Sequence, residues 1–215
     1  MLFTKPTMVD PRVALRGRDT PVLRQPFFHR VFGHRIDRTP EGAEVAVLGL
    51  GCFWGAEKLF WNTPGVLNTA AGYAAGYTPN PTYEEACSGR TGHAEVVRVV
   101  YDPKRLSYED VLRIFFENHN PTQGFRQGND RGTQYRSVIV PQNDDQARRA
   151  AAFRDAVGPG FAAAGFGPVT TEITPPSGDF FYAEDYHQQY LDANPNGYCP
   201  VHATGVTCNP GSRAG

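Results

Sequence analysis

A cysteine at a predicted strand-to-helix junction is the residue best suited to chemistry in this sequence. Cys52 follows the apolar run at residues 45–50 and lies in the string GCFWGAE, which begins at Gly51. Free backbone N–H groups at a helix start and the positive end of its dipole favour the thiolate, the form that attacks electrophiles. We therefore expect Cys52 to be a nucleophile; a buried structural cysteine is the alternative.

Two large aromatic side chains, Phe53 and Trp54, follow the cysteine directly. Rings beside a nucleophile at a surface turn favour an apolar socket for a small uncharged group over a metal site. The flanking glycines, Gly51 and Gly55, let a substrate approach the backbone closely. This context favours a catalytic Cys52.

An acidic residue at the start of a predicted strand, Glu95, is the candidate proton donor. It follows a loop rich in Gly, Tyr and Pro, residues 72–92, that contains Tyr83. A carboxyl buried against aromatic groups has a raised pKa, stays protonated near neutral pH and can donate to a substrate oxygen. The alternatives are a solvated strand end for Glu95 and a packing role for Tyr83.

A second polar loop, residues 121–134, contains Asp130 and leads to Tyr135. The hydroxyls of Tyr83 and Tyr135 could both donate to the oxygen that Glu95 protonates. For Asp130, the residues alone favour a role in forming a turn.

Two further cysteines, Cys199 and Cys208, lie nine positions apart in a C-terminal tail without apolar periodicity. A mobile tail with thiols suits a catalytic thiol that is oxidised in each turnover and then reduced by exchange. A zinc site is disfavoured because the tail has no CxxC and only His202 nearby.

Composition excludes several functional classes. The 215 residues include 21 basic and 22 acidic side chains, for a net charge of -1, so we expect neither nucleic acid nor a membrane surface as a partner. We predict no spanning segment and no signal peptide, and the default compartment is the cytosol. Four cysteines are too few for a disulfide scaffold in a chain this long. We expect a monomer.

The elements that must position these residues follow the order β-α-β-β-α-β. This order predicts an α+β fold, a two-layer, ferredoxin-like plait with an antiparallel or mixed sheet and helices mainly on one face. The predicted strands are residues 45–50, 66–71, 95–101 and 135–140, and the predicted helices are residues 53–61 and one opening at Ser107. Later elements are a helix to about residue 157, a strand at 169–174 and a helix at 183–192.

The chain divides by composition into three predicted parts. Residues 1–43 form an extended N-terminal arm, residues 44–197 a catalytic domain, and residues 198–215 an irregular redox tail.

Several long strings resemble the A class of peptide methionine sulfoxide reductases. They cover most of the chain and are specific. They read GCFWGAEKLFW, AGYAAGYTPNPTYEEACSGRTGHAE, ENHNPTQG, RQGNDRGTQYRS, YAEDYHQQYL and NPNGYC. Enzymes of this class reverse the oxidation of methionine to one sulfoxide epimer.

The resemblance implies a role for each polar site residue. Cys52 attacks the sulfoxide sulfur, and Glu95 protonates the leaving oxygen. Tyr83 and Tyr135 hydrogen-bond that oxygen, and Asp130 orders the polar side of the site. These roles agree with the residues themselves, because attack on the sulfur is helped when the oxygen is protonated.

The resemblance also implies how the substrate is held. Phe53 and Trp54 cradle the methyl group of the sulfoxide, while His187 and Tyr190, in the HQQY string, border the site. No cofactor and no metal is implied. The substrates are oxidised proteins and free methionine sulfoxide.

The resemblance also implies that the C-terminal tail returns the oxidised enzyme to its thiol form. Cys199 resolves a sulfenic acid on Cys52 as a disulfide, Cys208 exchanges onward, and thioredoxin reduces the enzyme. The link between the tail cysteines, PVHATGVT, lacks the glycine-rich character common in the family, and Pro200 stiffens it. Cys87 matches a position without a role in the family mechanism, so we expect a spectator.

Two alternatives remain open from the residues. One is a cysteine-dependent acyl hydrolase with His93 or His187 as its base, which needs no tail cysteines. The other is a non-enzymatic module in which the cysteines sense redox state or bind a metal.

Overall fold

The computed structural model describes residues 6–176, 178–199 and 203–208. The strands are β1 (Glu44–Leu50), β2 (Val66–Ala74), β3 (Ala94–Tyr101), β4 (Arg126–Gln127), β5 (Asp130–Arg131), β6 (Ser137–Val140), β7 (Glu172–Ile173) and β8 (Phe180–Tyr182). The helices are α1 (Phe53–Trp61), α2 (Tyr83–Cys87), α3 (Tyr108–Glu117), α4 (Asp144–Ala163) and α5 (Tyr190–Ala193). Short 3-10 turns lie at Pro11–Val13, Thr133–Tyr135 and Asp185–His187.

The central sheet has six strands in the order β7-β6-β1-β3-β2-β8. Its middle four strands, β6-β1-β3-β2, pair antiparallel with one another, which is the arrangement of the ferredoxin-like plait. At the edges, β7 pairs in parallel with β6 and β8 pairs antiparallel with β2. The predicted α+β fold is therefore confirmed.

The sheet is covered on both faces. On one face, Val97, Val99 and Tyr101 of β3 belong to the main hydrophobic core with the buried side chains of α1, α3 and α4. On the other face, Leu23 and Ile36 of the N-terminal arm pack against Ala70 of β2. Since successive strand residues point to opposite faces, the nearly continuous apolar sequence of β3 fits a strand buried on both sides.

Local sequence explains where two of the helices begin and end. α3 begins after a full capping box, in which Ser107 and Asp110 bind each other's backbone N–H groups. α4 continues to Ala163, past the predicted end near residue 157. Phe161 explains the extension: it is fully buried and continues the 3.6-residue period of Phe153 and Val157, although Pro159 lies inside the helix.

Several predicted elements differ in extent from the structure. The strand predicted at 66–71 continues to Ala74, and the strand predicted at 135–140 begins at Ser137, because Tyr135 ends a 3-10 turn. The helix predicted at 183–192 is wrong, because this stretch forms a 3-10 turn, a left-handed residue at Gln189 and the short α5. The strand predicted at 169–174 is reduced to β7. The two polar loops contain secondary structure that the sequence pattern missed, namely α2 in the first and the β4–β5 hairpin in the second. Among the described residues, no helix is both long and apolar enough to cross a membrane.

Candidate active site

Cys52 lies where the sequence predicts it, between the end of β1 and the first residue of α1. It is the N-cap residue of α1, and its side chain makes no capping hydrogen bond. Gly51 takes a left-handed φ of 94°, and a Cβ there would lie 2.6 Å from Cγ of Gln127. This turn therefore requires glycine directly before Cys52.

The pKa of Cys52 is raised, opposite to the direction predicted from the helix dipole. Burial is the largest cause, and Glu95, when it is ionised, and Asp130 raise the pKa further. The backbone N–H groups of Trp54 and Gly55 do lower the pKa, as expected for a helix start, but they do not outweigh burial. The resting residue is therefore a thiol, and attack on a substrate requires its deprotonation at the site.

Glu95 is buried beside this thiol, with 1% of its surface exposed, so the alternative of a solvated strand end is wrong. Its Oε2 accepts a hydrogen bond of 3.0 Å from the backbone N–H of Phe53. Burial raises the pKa of Glu95 to about 8, with a further contribution from the charge of Asp130. The carboxyl therefore carries a proton at neutral pH and is able to donate it.

The side chains of Tyr83 and Tyr135 lie close to each other and to Glu95. Burial raises the pKa of both hydroxyls, and ionisation of Glu95 raises it further. Both tyrosines are therefore neutral donors at physiological pH. Cys87, one helical turn after Tyr83, lies within interaction range of the Tyr83 hydroxyl, and burial also raises the pKa of its thiol.

Aromatic rings form the apolar side of the site. The ring of Trp54 stacks on Tyr190 with 3.8 Å between centroids, and its Nε1 donates to Nδ1 of His187 at 3.0 Å. His187 also packs against Phe53 and Tyr83, with centroids 4.9 and 4.6 Å away. Burial lowers the pKa of His187 to about 4, so the ring is neutral, and the bond from Trp54 assigns its proton to Nε2.

Asp130 is the first residue of β5, in the β4–β5 hairpin, opposite Gln127. Its Oδ1 accepts a hydrogen bond of 3.2 Å from the hydroxyl of Tyr198. In the described part of the chain its Oδ2 is buried without a partner. Because Cys199 directly follows Tyr198 and is exposed, this bond brings the first tail cysteine to the polar side of the site.

Cys208 lies elsewhere. It is buried, with 1% of its surface exposed, and its backbone N–H donates to Oε1 of Glu117 at the end of α3. Burial raises the pKa of its thiol to about 12. All four cysteines are free thiols in this structure. The structure therefore brings Cys199 but not Cys208 to the site, while Pro200 and His202, considered above, lie outside the described residues.

A buried arginine that the sequence pattern did not reveal joins the ends of the site loops. The guanidinium of Arg136 donates to the carbonyl oxygens of Ala75, Gly92 and Thr133, at 2.8, 3.0 and 2.9 Å, and to Glu172 at 2.8 Å. These carbonyls flank the segments that carry the site's acid and hydroxyls. The string TQYRS places the arginine directly after Tyr135, which was the available clue.

Two buried or half-buried carboxylates were also missed. Glu184 accepts from the backbone N–H of Tyr83 at 2.8 Å and from the hydroxyl of Tyr73 at 2.9 Å. Glu57 accepts from the backbone N–H and side chain of Gln189, at 2.8 and 2.7 Å, and from Thr69 at 3.0 Å. The Glu57 bonds fix the left-handed residue that precedes Tyr190. An acidic residue on the buried face of a helix was the clue for Glu57.

Both histidines considered as hydrolase bases have one ring nitrogen committed to a hydrogen bond. Nε2 of His93 donates to the Thr78 carbonyl at 2.7 Å, and Nδ1 of His187 accepts from Trp54. Over residues 6–176, 178–199 and 203–208, no three metal-ligating side chains are grouped as a metal site requires. What the site does contain is a thiol, a protonated acid, two neutral hydroxyls and an aromatic socket.

Comparison with known proteins points to one family. A family model described as peptide methionine sulfoxide reductase matches residues 44–209. A curated relative from Corynebacterium kroppenstedtii, named peptide methionine sulfoxide reductase MsrA, is 57% identical over 213 residues, or 95% of this chain and 97% of the relative.

Solved structures point to the same family. Methionine sulfoxide reductase A of Corynebacterium diphtheriae is 50% identical, with a TM-score of 0.85 over 94% of this chain and 98% of that one. Reduced Mxr1 from Saccharomyces cerevisiae is 33% identical, with a TM-score of 0.70 over 78% and 96%. The yeast protein in complex with Trx2 shares the fold, at 22% identity, a TM-score of 0.52 and coverage of 78% and 93%.

Proposed function

Because the chain belongs to the peptide methionine sulfoxide reductase family, we propose that its activity is carried by Cys52, with Glu95 as the proton donor. The chain is a thiol-dependent oxidoreductase that reduces the S epimer of methionine sulfoxide. The observation that carries the residue assignment is Glu95: a buried carboxyl with a pKa of about 8, bonded to the residue that follows the thiol. A protonated acid is what a sulfoxide oxygen needs when negative charge builds on it.

The first half-reaction transfers one oxygen atom. The Cys52 sulfur attacks the sulfoxide sulfur while Glu95 protonates the oxygen, and the proton of the thiol restores the acid. The bond between the two sulfurs formed in this attack then breaks as the hydroxyl transfers from the substrate sulfur to Cys52, which yields methionine and a sulfenic acid. The sulfur of Cys52 is oxidised by two electrons, and the substrate sulfur gains two.

Two neutral hydroxyls assist this step. Tyr83 and Tyr135 donate hydrogen bonds to the sulfoxide oxygen, and each becomes a stronger partner as charge develops there. Their raised pKa values keep both protons in place through the reaction. Asp130 holds Tyr198 on the same side of the site.

The aromatic side of the site binds the methyl group of the sulfoxide. Phe53, Trp54, His187 and Tyr190 form this socket through the ring contacts described above, and the neutral His187 adds no charge to it. A small apolar group therefore fits here, while the oxygen faces the hydroxyls.

The second half-reaction returns the enzyme to its thiol form. Cys199 attacks the sulfenic acid, water leaves, and a Cys52–Cys199 disulfide forms; Cys208 then exchanges with it, and thioredoxin reduces the resulting bridge. The complex of yeast Mxr1 with Trx2 supports thioredoxin as the reductant. With both free and protein-bound methionine sulfoxide as substrates, the enzyme repairs oxidised proteins, and we place it in the cytoplasm.

Anaerobic incubation of the reduced enzyme with each resolved sulfoxide epimer tests this function. We expect the S epimer to yield a stoichiometric amount of methionine without added reductant, with two thiols lost per methionine. The R epimer should yield none. Equal reduction of both epimers, or methionine release without loss of thiols, would contradict the proposal.

A further inference from the structure

The N-terminal arm lies outside the matched family region, which begins at residue 44, yet it contacts the loop that carries Tyr83. The arm residues Leu15 and Arg18 form four hydrogen bonds with this loop through their backbone. These are Leu15 N–H to Arg90 O (3.0 Å), Thr78 Oγ1 to Leu15 O (2.8 Å), Arg18 N–H to Pro79 O (3.1 Å) and Asn80 Nδ2 to Arg18 O (2.8 Å). The approach is close enough that a Cβ on Gly17 would lie 2.1 Å from the Pro79 oxygen.

The side chain of Arg18 makes the contact directional. Its Nη1 and Nη2 donate to the two carboxylate oxygens of Glu85, at 2.9 and 2.7 Å, and Nη1 also donates to the carbonyl of Asn80 at 2.6 Å. Asn80 has a left-handed φ of 45°, a conformation that asparagine adopts more readily than most residues, and the bond from Arg18 holds its carbonyl in this orientation. A bidentate salt bridge of this kind fixes the orientation of the Glu85 carboxylate as well as its distance from Arg18.

Glu85 transmits the contact to Tyr83. Its carboxylate accepts from the backbone N–H of Thr82 at 2.9 Å, and the Thr82 hydroxyl accepts from the Glu85 N–H at 3.3 Å, so the two residues cap α2. Tyr83 is the first residue of that helix. A helix of five residues is marginal without tertiary contacts, so the position of Tyr83 depends on this cap and on the bond to Glu184.

We propose that Arg18 is a positioning residue: through Glu85 it holds the Tyr83 hydroxyl where it binds the sulfoxide oxygen. The inference rests on the proposed function and on the proposed role of Tyr83. Loss of the guanidinium removes the donors to the Asn80 carbonyl and to both carboxylate oxygens of Glu85, which then keeps only the Thr82 N–H on Oε2. α2 therefore frays, and the Tyr83 hydroxyl loses its alignment. The aromatic socket that binds the methyl group lies on other elements: His187 touches Tyr83, but it keeps its bond from Trp54, and Trp54 keeps its stack on Tyr190.

The test is a double-mutant cycle in the full-length protein. Arg18→Met should lower the single-turnover rate constant at saturating S epimer about 10-fold. Complete removal of a hydrogen-bond donor to the developing charge lowers a rate constant on the order of 10²–10³-fold, and Arg18→Met only misaligns the Tyr83 hydroxyl. The KM should change little. Tyr83→Phe should lower the rate by a larger factor, and Arg18→Met added to Tyr83→Phe should have no further effect, because Arg18 acts only through the lost hydroxyl.

Two more variants complete the design. Arg35→Met removes a comparable arm ion pair, Arg35–Asp37, that does not contact the Tyr83 loop, and it should retain the wild-type rate constant. Arg18→Lys keeps the positive charge but lacks the bidentate geometry of the guanidinium. Its rate constant should lie between those of Arg18→Met and the wild type.

The inference is overturned if Arg18→Met retains the wild-type rate constant, if it lowers the rate equally with and without the Tyr83 hydroxyl, or if Tyr83→Phe retains the wild-type rate. A fall in the Arg35→Met rate constant to match Arg18→Met also overturns it, because the arm would then act only through general stability. Failure of the proposed function is distinct: the wild-type protein itself would then release no methionine.

Discussion

The backbone N–H of Phe53 donates directly to the Glu95 carboxylate across 3.0 Å, so the first residue of α1 and a buried residue of the central strand β3 are joined. The thiol of Cys52 and the acid are thereby held on one rigid unit. The carboxyl can accept this bond in either protonation state, which allows it to lose and regain a proton without moving. Several of the predictions below depend on this pair.

Replacement of the nucleophile should end catalysis. Cys52→Ser is expected to release no methionine, because a serine hydroxyl lacks the thiolate fraction and the affinity for sulfur that the attack requires. Methionine release is measured in a single turnover, with Cys87→Ser as the matched control. Substantial turnover by Cys52→Ser would contradict the assignment of the nucleophile.

Replacement of the acid should lower the rate without preventing binding. Glu95→Gln is expected to reduce the rate constant of sulfenic acid formation by about 10²–10⁴-fold, because the amide cannot donate a proton. In the wild type this rate constant should fall as pH rises through about 8, since the carboxyl must be protonated to act. A wild-type rate in Glu95→Gln would show that the proton comes from another group.

The same carboxyl should make stability depend on pH. Its folded-state pKa of about 8 lies above the ordinary value of 4.5, so the folded protein binds more protons than the unfolded chain between these values. The contribution of Glu95 therefore lowers the free energy of unfolding as pH rises from about 4.5 to 8, by roughly 1.4 kcal/mol for each unit of pKa shift. Urea denaturation at pH 5 and pH 8 should show Glu95→Gln gaining free energy of unfolding relative to the wild type at the higher pH.

An acid with the opposite shift provides the control for that measurement. The pKa of Glu109 is lowered by its hydrogen bonds with Arg149, so it is ionised throughout this range. Glu109→Gln should differ from the wild type by the same amount at pH 5 and pH 8. A parallel pH response in the Glu95 and Glu109 variants would contradict the raised pKa of Glu95.

The two tail cysteines should react very differently in the resting enzyme. Cys199 is exposed, whereas Cys208 is buried with a pKa of about 12, so iodoacetamide at pH 8 should label Cys199 first. Labelling over time is read from tryptic peptides by mass spectrometry. Equal labelling rates would show that residues 203–208 leave their site on α3 freely.

Single-turnover chemistry should separate resolution from reduction. Cys199→Ser is expected to release about one methionine per enzyme and then to stop under thioredoxin, because sulfenic acid formation needs only Cys52. One turnover should leave a Cys199–Cys208 bridge in the wild type and a Cys52–Cys199 bridge in Cys208→Ser. A Cys52–Cys87 bridge would instead make Cys87 the resolving thiol.

Features set by nearby residues were predictable from the sequence. Helix α1 begins at Phe53 and α3 follows the Ser107–Asp110 cap, since turns, caps and apolar periods depend on neighbours a few positions away. The order of the elements then predicts the plait.

Features set by distant partners were not predictable. Glu57 meets Gln189 132 positions later, and Tyr83 meets Glu184 101 positions later, so no local pattern encodes these bonds. The raised pKa of Cys52 has the same origin, because the burial and the carboxylates that outweigh the helix dipole come from other elements. The burial of Cys208 depends on α3, 91 positions before it.

The contacts of Arg136 also set limits on changes in chain length. One guanidinium binds carbonyls that follow β2, precede β3 and precede β6, so each of these loops must reach the same point with a fixed number of residues. An inserted or deleted residue close to Ala75, Gly92 or Thr133 would move a carbonyl out of reach. The buried guanidinium of Arg136 would then lack one of its hydrogen-bond acceptors. In the connection between α4 and β7, a Cβ on Gly165 or Gly167 would meet nothing within 4 Å, whereas Thr170 and Thr171 are hydrogen-bonded to other parts of the chain. Added sequence, such as a tag or a reporter peptide, therefore fits this fold next to the two glycines.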